Sequence, residues 1–210
     1  MLERVRAARG VRLSRTEYHA DFDRVAESVT GVMWKLERSQ TFREPDDPAW
    51  RSFVAGEWDE VLSLFDAERD DIAAEVAKDA ERGVRLRRLR VVEEPVSAYL
   101  QWEMHSFKVL AECGVDVRVV GAQAISEWEV GAPVPEMVVL GDRVLYEVLY
   151  DESWAPCGAR RIDDPEVVAG VVADIGRLYA GAEPLIEYFD REIAPLPPPK
   201  RTAIGSQVES

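Results

Sequence analysis

The 210-residue sequence predicts an α/β domain, a single mixed β-sheet flanked by helices with an N-terminal helical region. Two stretches carry the prediction. Residues 84–120 read as strand, helix, strand: VRLRRLRVV, a segment opened by Glu93-Glu94-Pro95 and closed by Gly114, then VDVRVV. That order implies a right-handed parallel crossover. Residues 137–150, MVVLGDRVLYEVLY, hold two β-rich runs joined by Gly141-Asp142, a hairpin pattern that adds antiparallel strands. A chain of this length buries a core without help from disulfides or metal. Cys113 and Cys157 are too few for a disulfide framework and read as free thiols of a cytoplasmic protein.

The elements follow in order. Residues 1–15 hold Arg4, Arg6, Arg9, Arg12 and Arg15 against Glu3 alone, a local +4 on a chain of net charge −14, which leaves −18 on the remainder. Residues 1–13 therefore read as a basic flexible tail lying on an acidic body, and the single α/β domain as spanning 14–195. Ser14-Arg15-Thr16-Glu17 is a capping box that starts a helix near Thr16 and turns Tyr18, Phe22 and Val25 inward. The run GVMWKLERSQTFREPDDPAW, residues 31–50, begins as a strand or short helix and ends as a loop punctuated by Pro45 and Pro48. From Trp58 to Arg82 the apolar residues recur near every 3.6 positions, one long helix stopped by Gly83. Strand 84–92 comes next, then a helix with Pro95 in its first turn. Asp163 or Asp164 caps a helix opened by Pro165 and running to about Ala180. A last helix covers Glu183 to Ile193, and residues 196–210 read as a Pro-rich, then disordered, tail.

Several chemistries are excluded. The sequence contains no Gly-rich phosphate loop, HExxH or GxSxG. Two histidines and two distant cysteines argue against a metal site, and no cofactor is expected. The acidic balance disfavours direct nucleic-acid binding, and no apolar run approaches the ~20 residues of a membrane span.

The strand 84–92 poses the sharpest question. Strict alternation places Arg88 and Arg90 on the same face as Val84 and Leu86. Either a bulge at Arg87-Arg88 turns all four arginines to one solvated face, or Arg88 and Arg90 are buried and need partners, for which Glu93, Glu103 and Glu147 are candidates. On the following helix Tyr99, Trp102, Glu103 and Ser106 share one face, a polar-aromatic stripe separate from the core face of Val96, Leu100, Met104, Phe107 and Ala111. Glu147 stands out as an acid inside an apolar strand. Arg88, Arg90, Tyr99, Trp102, Glu103 and Glu147 are thus the candidate ligand wall. Residues 34–44, with Trp34, Lys35, Glu37 and Arg43, are its candidate lid.

The runs WKLERSQTFREPDDPAW, WDEVLSLFDAERDDIA, RLRRLRVVEEPVSAYLQWE and LGDRVLYEVLYD resemble an uncharacterised actinomycete family, the domain of unknown function 6879, over about residues 14–195. The pattern RVRVVxEPxSxYxxxE is matched from Arg88 to Glu103, with Leu89 at the second position. The resemblance implies a phospholipase-D-like fold without the HxKxxxxD motif, and an association with helix-turn-helix regulators. The expected function is a non-catalytic, regulatory module that binds a small anionic ligand or a regulator protein. The alternative is a transferase or phosphodiesterase-like enzyme of specialised metabolism using Glu103 or Glu147 as general base.

Overall fold

The structure, a computed structural model, describes residues 2–199. The expected disorder of 200–210 concerns residues outside that range. In chain order the elements are α1 (Leu2–Ala7), β1 (Val11–Ser14), α2 (Arg15–Ala26), β2 (Gly31–Glu37), α3 (Pro48–Ala55), α4 (Trp58–Ala67), α5 (Arg69–Glu81), β3 (Val84–Val92) and α6 (Ala98–Glu112). There follow β4 (Asp116–Gly121), a 3-10 segment (Ala122–Trp128), β5 (Met137–Leu140), β6 (Val144–Tyr150), β7 (Pro156–Ile162), α7 (Pro165–Gly181), β8 (Glu183–Pro184) and α8 (Leu185–Tyr188). The last helix runs on into a π-helical turn, Phe189–Ile193.

All eight strands form one open sheet in the order β1-β7-β6-β5-β2-β3-β4-β8. β2, β3 and β4 are parallel, and every other pairing is antiparallel. The mixed sheet expected from the crossover and the hairpin is the sheet that forms. Across β2 and β3, Lys35 faces Arg88 and Glu37 faces Arg90; Val138 and Tyr146 continue that row on β5 and β6. The opposite face is apolar at its centre. Trp34, Leu36, Leu89, Val91, Met137 and Val139 pack there against Val168, Val171, Ile175 and Tyr179 of α7 and Val5 of α1. On the charged row's side, α2 covers one end with Tyr18, Phe22 and Val25. α6 and the C-terminal turns cover the other end, through Leu100, Met104, Phe107, Leu185 and Phe189. Outside α6, Trp50, Phe53, Val61 and Phe65 of α3 and α4 enclose Tyr99 and Trp102.

The structure differs from the local sequence signals in five places, one being the last helix, which starts at Leu185 because Glu183 and Pro184 pair with β4 as β8. Residues 2–14 are a helix and an edge strand rather than a frayed tail: Val5 is fully buried, and Arg160 of β7 donates to the carbonyls of Val5 and Ala8. The helix over 58–82 is broken at Glu68 into α4 and α5. α6 begins after Pro95, capped by Ser97, whose hydroxyl accepts from the Leu100 N–H at 3.0 Å. The β5–β6 turn is three residues, Gly141 to Arg143, because Leu140 faces Val144; Gly141 takes a φ of 61° there. By contrast, the Ser14–Glu17 capping box and the Asp164 cap with Pro165 both form.

Candidate ligand-binding site

β3 carries no bulge. Its register with β2 runs unshifted from Gly31↔Val84 to Glu37↔Arg90. Alternation therefore sends Arg87 to the α7 face, where its guanidinium lies 5.4 Å from the Trp34 ring centre and 5.3 Å from that of Tyr179. Arg88 and Arg90 enter the layer beneath α6 and are paired there. Arg90, 0% exposed, donates through Nε to Glu103 Oε2 at 2.6 Å and through Nη1 to the Val91 carbonyl at 3.3 Å. Arg88 Nε lies 3.0 Å from Glu37 Oε2, and its guanidinium sits 4.2 Å from the Phe107 ring centre. Lys35 Nζ is 2.9 Å from Glu37 Oε1, and the Tyr99 hydroxyl donates to Glu103 Oε1 at 3.1 Å. Sheet geometry places the Lys35–Arg88 and Glu37–Arg90 pairs side by side, and α6 lowers Glu103 onto the end of the row.

The network is electrostatically tight. Burial works against ionisation of Glu37, but Arg88, then Lys35 and Arg90, overcome it and hold the carboxyl at about 2. Burial pushes Glu103 upward, opposed chiefly by Arg90 and reinforced by the Glu37 charge. Burial would also strip Arg90 of its proton, yet Glu103 and Glu37 raise its affinity above the ordinary value. Arg90 Nη2 makes no hydrogen bond within the described structure, and Arg88 Nε and Glu37 Oε2 meet as an ion pair without hydrogen-bond geometry.

Beyond the carboxyl ends of β2 and β3 the sheet changes from parallel pairing with β3 to antiparallel pairing with β5. A cleft of about 390 Å³ opens at this switch, lined by Arg38, Ser39, Gln40, Glu93, Pro133 to Glu136, Val148, Tyr150 and Trp154. Ligands of open α/β sheets gather outside the carboxyl ends of parallel strands. Arg38 grips Glu129 with Nε at 2.6 Å and Nη2 at 2.9 Å, and its Nη1 lies 2.7 Å from Glu93. Glu136 caps the end of β2, accepting from the N–H of Arg38 at 2.9 Å and of Ser39 at 2.6 Å. Gln40 donates to the Arg38 and Val91 carbonyls and accepts from the Glu93 N–H, which ties the two strand ends together. Phe42 stacks on Tyr150 at 4.8 Å and 27°, and Trp154 stands at the rim, 46% exposed, with a φ of 61°. A bulky residue in the left-handed region is an outlier of the kind that collects at binding sites. Burial lifts Glu136 to about 7, against Arg90 and the two backbone donors. Burial likewise lifts Glu44 to about 7, with Lys35 opposing and Glu103, Glu37 and Asp47 adding to the rise.

A model of the family described as "Domain of unknown function (DUF6879)" matches residues 20–190. The chain belongs to the DUF6879 family. No curated protein matches it. Among solved structures, that of TrmBL2, "an archaeal chromatin protein" with "a novel mode of DNA binding", is similar over 85% of this chain and 54% of that one, at 11% identity and a TM-score of 0.44. This chain thus spans about half the length of that protein, and a likeness so distant carries no inference about what a DUF6879 chain binds.

Within this DUF6879 domain the residues singled out from sequence separate into three places. Lys35, Glu37, Arg88 and Arg90 of the sheet meet Tyr99 and Glu103 of α6, but as a packed layer rather than a ligand wall, and Trp102 lies on the outer side of α6. Trp102 is buried among Trp50, Phe53, Phe65 and Tyr99. Trp34 and Glu147 point to the α7 face, where Glu147 Oε2 accepts from Arg160 Nε at 2.6 Å. Of the three expected partners for the arginines, only Glu103 serves; Glu93 is taken by Arg38 and Glu147 by Arg160. Trp34 to Glu37 form a central strand and not a lid. Arg43, in the segment after it, anchors that segment through its N–H to the Trp154 carbonyl at 2.9 Å. Glu136, Tyr150 and Trp154 were not found from sequence as site residues. The acid directly before an all-apolar run, Glu136-Met-Val-Val-Leu, was the available signal. Among the described residues no group of three or more His, Cys, Asp or Glu could hold a metal ion, and no helix is long and apolar enough to cross a membrane.

Proposed function

We propose that this chain is a non-catalytic, cytoplasmic binding module that receives a small ligand, or a segment of a regulator protein, in the cleft beyond β2 and β3. The observation that carries the reading is the cleft's position: it lies outside the carboxyl ends of the parallel strands β2 and β3 and is bounded by strand ends that Gln40 and Glu136 hold in place. Pre-organised walls of that kind serve binding, because little ordering remains to be done when the ligand arrives. Catalysis by Glu103 or Glu147 is less well supported. Each carboxylate already accepts a 2.6 Å hydrogen bond from an arginine, and Glu103 lies under Tyr99 and Arg90 with 4% exposure. Recognition of an anion by Arg88 and Arg90 is weakened for the same reason, since their charge is met by Glu37 and Glu103. The association with a helix-turn-helix regulator rests on the family resemblance alone.

A thermal-shift screen of small molecules, together with pull-down of regulator proteins encoded beside this chain, tests the proposal. Trp154→Ala should reduce the ligand-induced shift while leaving the melting temperature of the free protein nearly unchanged, as expected for a half-exposed rim residue. Trp102→Ala should lower stability by about 3–5 kcal/mol, the usual cost of emptying an aromatic core position. If no compound or partner shifts the wild type, or if turnover of a substrate depends on Glu103, the binding-module reading fails.

A further inference from the structure

We infer that the cleft takes an organic cation on an apolar body, an amine or quaternary ammonium carried by an aromatic or branched aliphatic frame. The inference rests on the cleft reading above and names the class of its ligand.

Charge decides the sign. Arg38 is the only cationic side chain among the lining residues, and Glu129 and Glu93 both bind its guanidinium. An incoming anion finds no uncommitted arginine and meets Glu93 and Glu136 instead. Glu136 is 8% exposed and accepts from the backbone N–H groups of Arg38 and Ser39; among the described residues no cationic side chain bonds to its carboxylate. Two peptide donors leave acceptor capacity on a carboxylate that has about four lone-pair sites. Behind the lining, Tyr150 lies within electrostatic reach of Glu136, Glu37, Glu44 and Glu103. Glu37 and Glu103 are ion-paired with Arg88 and Arg90, whereas Glu136 forms no ion pair among the described residues and burial lifts it, with Glu44, to about 7. A ligand cation relieves that burden by adding positive charge on the cleft side of Glu136, whose nearest cation, Arg90, is already bound to Glu103.

The walls suit the same ligand. Tyr150 is backed by Phe42, and the Trp154 ring stands 6.3 Å from that of Tyr150. Such rings attract an ammonium or a guanidinium through their negative faces. Val134 and Val148 complete the lining with apolar surface for the frame that bears the charge. A bare metal ion would have no use for these walls, and an uncharged apolar ligand would leave Glu136 to share Arg90 with Glu103 and Glu37.

Titration of the full chain, followed by tryptophan fluorescence and calorimetry, tests the class. The probes are benzyltrimethylammonium and 2-phenylethylamine, the anions phenylacetate and phenyl phosphate, and neutral benzyl alcohol. Both cations should bind saturably and the other three should not. Glu136→Gln and Trp154→Ala should each weaken cation binding by roughly tenfold, the scale of one desolvated cation–π or charge contact. Circular dichroism should show both variants folded. Glutamine at 136 keeps an oxygen for the peptide donors, and alanine at 154 removes an exposed ring. Anion binding that is lost in Trp154→Ala overturns the cation class and leaves the cleft reading intact. Equal binding of benzyl alcohol does the same. Cation binding that survives both substitutions is attraction to an acidic surface and overturns the inference. Absence of binding by all five probes overturns the class assignment, and if the screen above is also silent, the cleft reading falls with it.

Discussion

Arg90 brings a full charge to a position with no exposed surface, and its guanidinium is held by a carboxylate on one side and a carbonyl on another. Arg90→Met should cost about 3–5 kcal/mol, because it strands Glu103 as a buried, unpaired charge. The double variant Arg90→Met, Glu103→Leu should recover most of that loss, since an apolar pair of similar volume replaces both ions. Equilibrium denaturation of the two variants beside wild type checks the difference. A second consequence concerns protons. Glu136 and Glu44 keep theirs up to about 7 when folded, against 4.5 as the ordinary value. The folded chain therefore binds more protons than the unfolded chain between these limits. Stability from the two groups is fully present below 4.5 and falls as pH rises through 7. His105, set between Trp58 and Phe189, titrates near 4 instead of 6.5 because burial, and then Lys108, disfavour its charged form; its contribution is lost as pH falls through that window. Charges near Glu136 come from Arg90, Glu37 and Tyr150, and around these from Arg38, Glu93, Glu44 and Glu103. Glu136→Gln should flatten the decline in melting temperature between pH 5 and pH 7.5, with the His105 contribution left in place. An unchanged slope would show that Glu136 does not carry the proton.

The element with the most exacting fit is β1. It pairs with β7 through Val11↔Arg161 and Ser14↔Gly158, and a Cβ on Gly158 would lie 2.2 Å from the Leu13 carbonyl oxygen. Gly158 also holds a φ of 150°, which side chains rarely adopt. Gly158→Ala should therefore push β1 off the sheet at a cost of about 1–3 kcal/mol, visible as faster amide exchange at 11–14 while α6 stays protected. Elements were readable where a side chain acts on its own backbone nearby. Ser14 and Glu17, and Asp164 with Pro165, mark helix starts by local hydrogen bonds that need no tertiary partner. β1 was not readable, because four residues with an exposed Val11 show no alternation of burial. The break at Glu68 was hidden for another reason: neither glycine nor proline marks it, and apolar residues recur on both sides. At Ser97 two signals competed, and the hydroxyl cap prevailed over Pro95 as the first turn.

For the molecule as a whole, the crossover and the hairpin were enough to predict a mixed sheet, since each joins strands that are close along the chain. The strand order was not predictable, because β2–β5 and β1–β7 pair across most of the sequence. The candidate site divides in the same way. Charges inside an apolar strand announce a paired network, so Arg88, Arg90 and Glu103 were found. The cleft draws its lining from residues 38–40, 93, 133–136 and 148–154, and only the folded sheet brings them together. The pairing of β1 with β7 also sets an order of events during synthesis. β1, at residues 11–14, cannot take its place until residues 156–162 have followed it. Until then it waits as an unpaired edge, the situation in which strands misassociate. Arg9, Arg12 and Arg15, which remain exposed in the finished protein, give that waiting segment the like charge that keeps copies apart.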